Sequence, residues 1–112
     1  MPSDEHVVLL RRGAAAWNAW RAEYEEAPDL SRAGLRGLDL SGCDLSRTDL
    51  RDADLRGTNL SQANLSAAHL EGANLFNSVL VRPNFKRNRK FVDSPLEGAV
   101  WRSELVSVKI PC

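Results

Sequence analysis

Residues 48–75 read TDLRDADLRGTNLSQANLSAAHLEGANL, and a leucine closes every unit of five in that stretch. Extended outward, the same register places leucine at 30, 35, 40, 45, 50, 55, 60, 65, 70, 75 and 80, eleven positions without a gap. Two residues before the leucine the side chain is mostly small (Ala33, Cys43, Thr48, Ala53, Thr58, Ala63, Ala68, Ala73, Ser78). The residue immediately before it is mostly Asp or Asn (Asp39, Asp44, Asp49, Asp54, Asn59, Asn64, Asn74). Such a unit is too short to bury its own apolar residue, so it must stack on copies of itself.

A period of five fits neither regular element. On an α-helix each step of five turns the leucine by about 140°, which spreads the set around the whole circumference. On a strand, side chains alternate with period two, so successive leucines face opposite ways. Both conflicts vanish if each unit is one short extended side followed by a bend, with the small residue and the leucine pointing in and their neighbours out. Gly37, Gly42, Gly57 and Gly72 lie two after a leucine, where that bend must fall, and glycine relaxes the backbone limits there.

The units Ala53-Asp54-Leu55-Arg56-Gly57, Ala63-Asn64-Leu65-Ser66-Ala67 and Ala73-Asn74-Leu75 resemble the pentapeptide-repeat family. The resemblance implies a mainly β fold: a right-handed quadrilateral β-helix over residues 28–87, in which four pentapeptides make one coil and equivalent residues stack twenty apart. Leu35, Leu40, Leu45, Leu50, Leu55, Leu60, Leu65, Leu70, Leu75 and Leu80 are then the structural core. Leu40, Leu60 and Leu80 form one column, Leu35, Leu55 and Leu75 another, and Leu45, Leu65 and Phe85 a third. The fourth runs from Leu50 and Leu70 into Lys90, which cannot sit unpaired in a dry core, so the register breaks before it.

At 112 residues the chain is expected to hold one domain with a cap at each end: a capping helix over 1–27, the β-helix over 28–87, and a degenerate last coil or cap over 88–112. Fifteen basic residues balance fifteen acidic ones, so no global field steers the molecule toward nucleic acid or an anionic membrane. No apolar run of membrane-spanning length occurs, and Ser3-Asp4-Glu5-His6 is unlike a signal peptide. The expected location is cytoplasmic. Cys43 falls in an inward slot and reads as an inert buried thiol.

Residues 3–27 read as one amphipathic helix, with Ser3 as N-cap, Val7, Leu10, Ala14, Trp17, Trp20 and Tyr24 on the apolar face, and Arg11, Arg12, Arg21, Glu23, Glu25 and Glu26 on the polar side. Trp17-Asn18-Ala19-Trp20-Arg21 resembles the extension that precedes the repeats in many bacterial members of the family. The tryptophans serve either as a platform for a partner or as a cover for the open first coil; the second reading is preferred because the ends of repeat arrays must be capped.

Beyond Leu80 the pattern decays. Lys86, Arg87, Arg89 and Lys90 form a basic run, and one inserted residue lets Phe91, Leu96, Trp101 and Val106 resume a rhythm of five. These basic residues and Trp101 are the candidate interaction residues, although a solvated bulge explains the run as well. The alternating segment 106–110 must bury one face, either as a cap on the last coil or against a second copy in a homodimer.

No nucleophile motif, metal-ligand spacing or phosphate-binding glycine loop occurs; His6 and His69 are the only histidines. The sequence therefore predicts a protein that is not an enzyme and carries no cofactor or metal: a scaffold or protein–protein interaction module of unknown partner. The resemblance also suggests an alternative, a DNA mimic that regulates a type II topoisomerase such as gyrase. Mimicry needs a long, strongly negative rod, whereas residues 28–87 carry eight basic and seven acidic groups.

Overall fold

In the computed structural model, the described residues are 4–81, Asn84 and 106–107. The elements in chain order are α1 (Asp4–Arg11), α2 (Ala14–Glu23), β1 (Leu80–Val81) and β2 (Val106–Ser107). Between α2 and β1 the chain winds as a coil whose backbone pairs with itself twenty residues on. Parallel bridges join Asp29 to Asp49 to His69, Gly34 to Asp54 to Asn74, Asp39 to Asn59 to Val79, and Asp44 to Asn64 to Asn84. These four columns define four sides, named below by their first residue.

Each side repeats three bonds, one of them from the N–H of the bend residue two after the leucine (Gly42 to the Ser61 carbonyl, 2.9 Å). The leucine N–H donates to a carbonyl of the next coil (Leu40 to Asn59, 2.8 Å), and the next coil returns a bond (Asn59 to the Leu38 carbonyl, 3.0 Å). Only one residue per side is bridged between Asp29 and Val79, so the sides are too short to be strands. A β-helix of this kind is a stack of corners. Every bend places a residue with φ between 57° and 77° two after the leucine: Gly37, Gly42, Gly57 and Gly72, but also Arg32, Arg47, Asp52, Gln62, Ala67 and Asn77. Six bends thus hold a left-handed conformation that costs an L-residue about 1–2 kcal/mol relative to glycine-like freedom.

The leucines at every fifth position from Leu30 to Leu80 are buried, each no more than 1% exposed, whereas Leu38, in a small-residue slot, is partly buried. The small slots between them carry Ala33, Cys43, Ala53, Ala63, Ala68 and Ala73, with Thr48, Thr58 and Ser78 equally buried. Those hydroxyls stay satisfied by bending back on the chain: Thr58 donates to the Leu55 carbonyl at 2.8 Å and Ser78 to the Leu75 carbonyl at 2.6 Å. Burial raises the Cys43 thiol pKa to about 11, which keeps it protonated and inert at neutral pH.

Two expectations are corrected. The segment 3–27 is two helices, broken at Arg12–Gly13 and ending at Glu23. Gly13 takes φ 104°, a conformation that the periodic apolar pattern on either side does not reveal. A single helix over 3–27 would run about 37 Å, longer than the 32 Å maximum extent, whereas two short helices lie across one end of the coil. Ser3 lies outside the described residues.

The second correction concerns the register after Leu80. β1 and β2 pair in parallel, Leu80 opposite Val106 and Val81 opposite Ser107. The offset is therefore 26 residues instead of 20. One inserted residue would have set position 101 above Leu80; the observed pairing puts Val106 there, so the intervening stretch exceeds one coil by six. Phe85, Phe91 and Leu96 lie outside the described residues.

Candidate interaction surface

The outward positions are organised by the residue before each leucine. Its side chain accepts the N–H of the residue just after the leucine: Asp29 from Ser31, Asp39 from Ser41, Asp44 from Ser46, Asn59 from Ser61, Asn64 from Ser66 and Asn74 from Phe76, all at 3.0–3.1 Å. Three of the serines add a hydroxyl bond of 2.6–2.7 Å to the same carboxylate. Local bonds of this type suit Asp and Asn better than any other residue. Their repetition fixes the direction of each outward side chain.

Two arginines close larger rings on the same plan. Arg51 grips Asp49 through Nε at 2.9 Å and Nη2 at 2.7 Å, and Arg56 grips Asp54 at 2.8 and 2.7 Å. The Arg56 bond is the main reason that the Asp54 carboxyl falls to about 2, and Arg51 likewise lowers Asp49. Asp29 and Asp39 are lowered chiefly by the Ser31 and Ser41 hydroxyls. Arg36 reaches Asp54 at 3.8 Å, and Phe76 ends that column 46% exposed.

Three of the four sides mix both signs of charge among their described residues. The Asp29 side mixes Asp29, Asp49, Arg51, His69 and Glu71 around an open depression that Arg47 also lines. On the Asp39 side, by contrast, Asp39 is the sole ionisable group among the described residues. Among the described residues no cluster of His, Cys, Asp or Glu side chains is gathered as for a metal ion, and no helix is long and apolar enough to cross a membrane.

At the first coil the ladder lacks a preceding turn, and side chains of the helices take its place. On the Asp44 side the Asp44 N–H donates to Asn18 Oδ1 at 2.7 Å, and its carbonyl accepts Trp17 Nε1 at 2.7 Å. Asn18 Nδ2 reaches the Gly42 carbonyl at 3.0 Å. Arg21 is buried, bonding the Ser46 carbonyl at 2.8 Å and Thr48 Oγ1 at 3.2 Å. On the Asp29 side the Asp29 N–H donates to His6 Nδ1 at 3.1 Å. That leaves Nε2 as the protonated ring nitrogen, which donates to Glu26 at 2.9 Å. On the Gly34 side, Arg11 Nη2 donates to the Gly34 carbonyl at 2.6 Å.

The sequence reading placed Arg21 on the polar side of the helix. It is instead among the buried residues, because it lies four after Trp17 and so shares its face. His6, Asn18 and Arg11 were not singled out either; their common signal is spacing along the two helices toward one end of the coil. Trp17 is fully buried, and Trp20 is half-buried with its ring 5.0 Å from His6 and 6.0 Å from Tyr24. Tyr24, assigned to the apolar face, is 49% exposed. The candidate interaction residues Lys86, Arg87, Arg89, Lys90 and Trp101 lie outside the described residues.

The coiled part matches the family model described as pentapeptide repeats in three overlapping stretches, residues 29–66, 43–80 and 58–87. Among solved structures, the chain is similar to alr5209, a pentapeptide repeat protein from Nostoc Pcc 7120. The two are 31% identical over 73% of this chain and 69% of that one, with a TM-score of 0.40. No curated protein matches it.

Proposed function

The chain belongs to the pentapeptide-repeat family, and from that premise we propose that it is a non-enzymatic scaffold, a module that binds another protein through its outward columns. The observation that carries the reading is the clamp around eight of the leucines, those preceded by Asp or Asn. Outward serines and arginines are already tied to the Asp or Asn two residues before them, so little side-chain freedom is lost when a partner docks. In this reading the coil has the right-handed, four-sided winding of the family, the helical pair is its N-terminal lid, and the protein works in the cytoplasm.

The test is affinity capture under native conditions with the parent and with an Arg36→Glu/Arg56→Glu variant, whose changes lie on one outward column. Stoichiometric recovery of a defined protein by the parent and its loss with the variant supports the scaffold. Capture that is indifferent to each outward column in turn contradicts it. A gyrase supercoiling assay addresses the topoisomerase alternative, which the mixed charge of the described sides does not favour.

A further inference from the structure

Three of the four sides of the first coil receive hydrogen bonds from the helical pair, and the fourth receives none. Asn18, Trp17 and Arg21 serve the Asp44 side, His6 the Asp29 side and Arg11 the Gly34 side. On the Asp39 side the downward bonds are complete, with Leu40 donating to Asn59 and Asn59 to Leu38. Asp39 itself is exposed, and neither its N–H nor its carbonyl has a partner among the described residues. An exposed extended backbone edge with one free donor and one free acceptor is a template for another extended segment.

We propose that the Leu38–Ser41 edge is a docking site for an extended segment of a partner protein that adds as a parallel strand and places a Lys or Arg beside Asp39. The register follows from the coil's own bonds. The incoming residue opposite Asp39 takes the place of the absent preceding coil: the carbonyl before it accepts the Asp39 N–H, and the N–H after it donates to the Asp39 carbonyl. Every bridge in the coil is parallel, so a parallel strand continues the existing twist and spacing.

The charge preference has a separate source. Asp39 is the sole ionisable group among the described residues of its side, and its carboxylate is held by the Ser41 N–H and hydroxyl with no arginine on it. The Ser41 hydroxyl bond lowers its pKa, which keeps the carboxylate charged at neutral pH. Asp49 and Asp54, at the equivalent place on other sides, are already neutralised by Arg51 and Arg56. Asp29 and Asp44 are likewise held by serines without an arginine, but their backbone edges are taken by His6 and by Asn18 and Trp17. Among the described residues Asp39 alone heads a column with both an unneutralised carboxylate and an edge that the helices leave open. The inference rests on the scaffold reading, whose partner it describes in part.

Two backbone bonds and one surface ion pair make a weak contact, in the millimolar range by themselves, so the assay is amide chemical shift mapping on the full chain. The probe is acetyl-Ala-Lys-Leu-Ser-Gly-amide, with two companions: the peptide with Asp in place of Lys, and the Lys peptide N-methylated at its leucine. The Lys peptide is expected to shift the Asp39 amide with saturation. The N-methylated peptide, unable to donate to the Asp39 carbonyl, should lose at least tenfold in affinity. Asp39→Asn, which keeps the Ser41 bonds, should weaken the Lys peptide about threefold and leave the Asp peptide no worse. An unmoved Asp39 amide, or equal binding of the N-methylated peptide, overturns the proposal. A shift of that amide with protein concentration alone also overturns it, since the edge then serves a second copy. If affinity capture recovers a partner that Asp39→Asn and a blocked edge leave untouched, the scaffold reading stands and this site falls.

Discussion

Replacing Arg21 by methionine should destabilise the protein by about 2 kcal/mol, although the residue lies in α2, outside the repeat. The guanidinium bonds the Ser46 carbonyl at 2.8 Å, Thr48 Oγ1 at 3.2 Å, Ser46 Oγ at 3.3 Å and the Asp44 carbonyl at 3.4 Å. Only the first two are short enough to weigh, and a bond from a charged donor contributes roughly 1.5–3 kcal/mol. Against this stands the cost of dehydrating the guanidinium, visible in the lowering of its pKa by burial. The Asp44 carbonyl keeps Trp17 Nε1, so it is not orphaned. Methionine retains most of the packed volume, which confines the loss to the bonds. For a domain of this size, the change corresponds to a fall of about 8–16 °C in melting temperature. Thermal melting by circular dichroism measures it, with Arg12→Met as control, because Arg12 is exposed in the turn between α1 and α2 and should move stability by no more than about 0.5 kcal/mol. If Arg21→Met melts with the parent, or the two variants fall together, the helices are not held to the coil edge by this residue.

Leu60→Asp should abolish the cooperative melt, since it sets a carboxylate in the middle of a fully buried column; a parent-like melt would refute the inward assignment. Ala67→Gly should raise stability by about 0.5–1 kcal/mol, because it relieves φ 57° at a bend at the expense of some unfolded-chain entropy; an unchanged or lower denaturant midpoint would count against strain at the bends. Asp54, held at about 2 by Arg56, contributes stability that is present above its unfolded value near 3.9 and is lost as the pH falls through 2. Carboxyl titration by NMR should show this depression, and Arg56→Met should bring Asp54 back toward the ordinary range; an unmoved value would assign the shift to another cause.

The coil was legible in the sequence because its length is a whole number of repeats. Four units of five return the chain to the same side, so one register of leucines predicts which residues stack and which point inward. Asp29 over Asp49 over His69 follows from counting alone. The lid was less legible. Gly13 interrupts the helix without interrupting the apolar rhythm, and Arg21 looks like a surface cation until its spacing from Trp17 is set beside unpaired carbonyls at the coil edge. Likewise, the decay of the pattern and the basic run after Leu80 announce a break in register but not its length, which the pairing of Leu80 with Val106 sets at six residues beyond one coil. The bare Asp39 edge is visible only once the bonds of all four sides have been assigned.

The central claim is that residues twenty apart are neighbours while residues five apart lie on different sides, so that each outward column is a fixed surface. Disulfide formation between introduced cysteines tests it directly, in a Cys112→Ser background where the remaining Cys43 is buried. Ser41 and Ser61 follow the bridged pair Asp39 and Asn59 on one side; at strand spacing of about 4.8 Å between coils, Ser41→Cys/Ser61→Cys should oxidise readily to an intramolecular disulfide. Ser41→Cys/Ser46→Cys should stay reduced under the same conditions, although its cysteines are four times closer in sequence. Ready closure of the second pair with failure of the first would contradict the coil and every surface assigned from it.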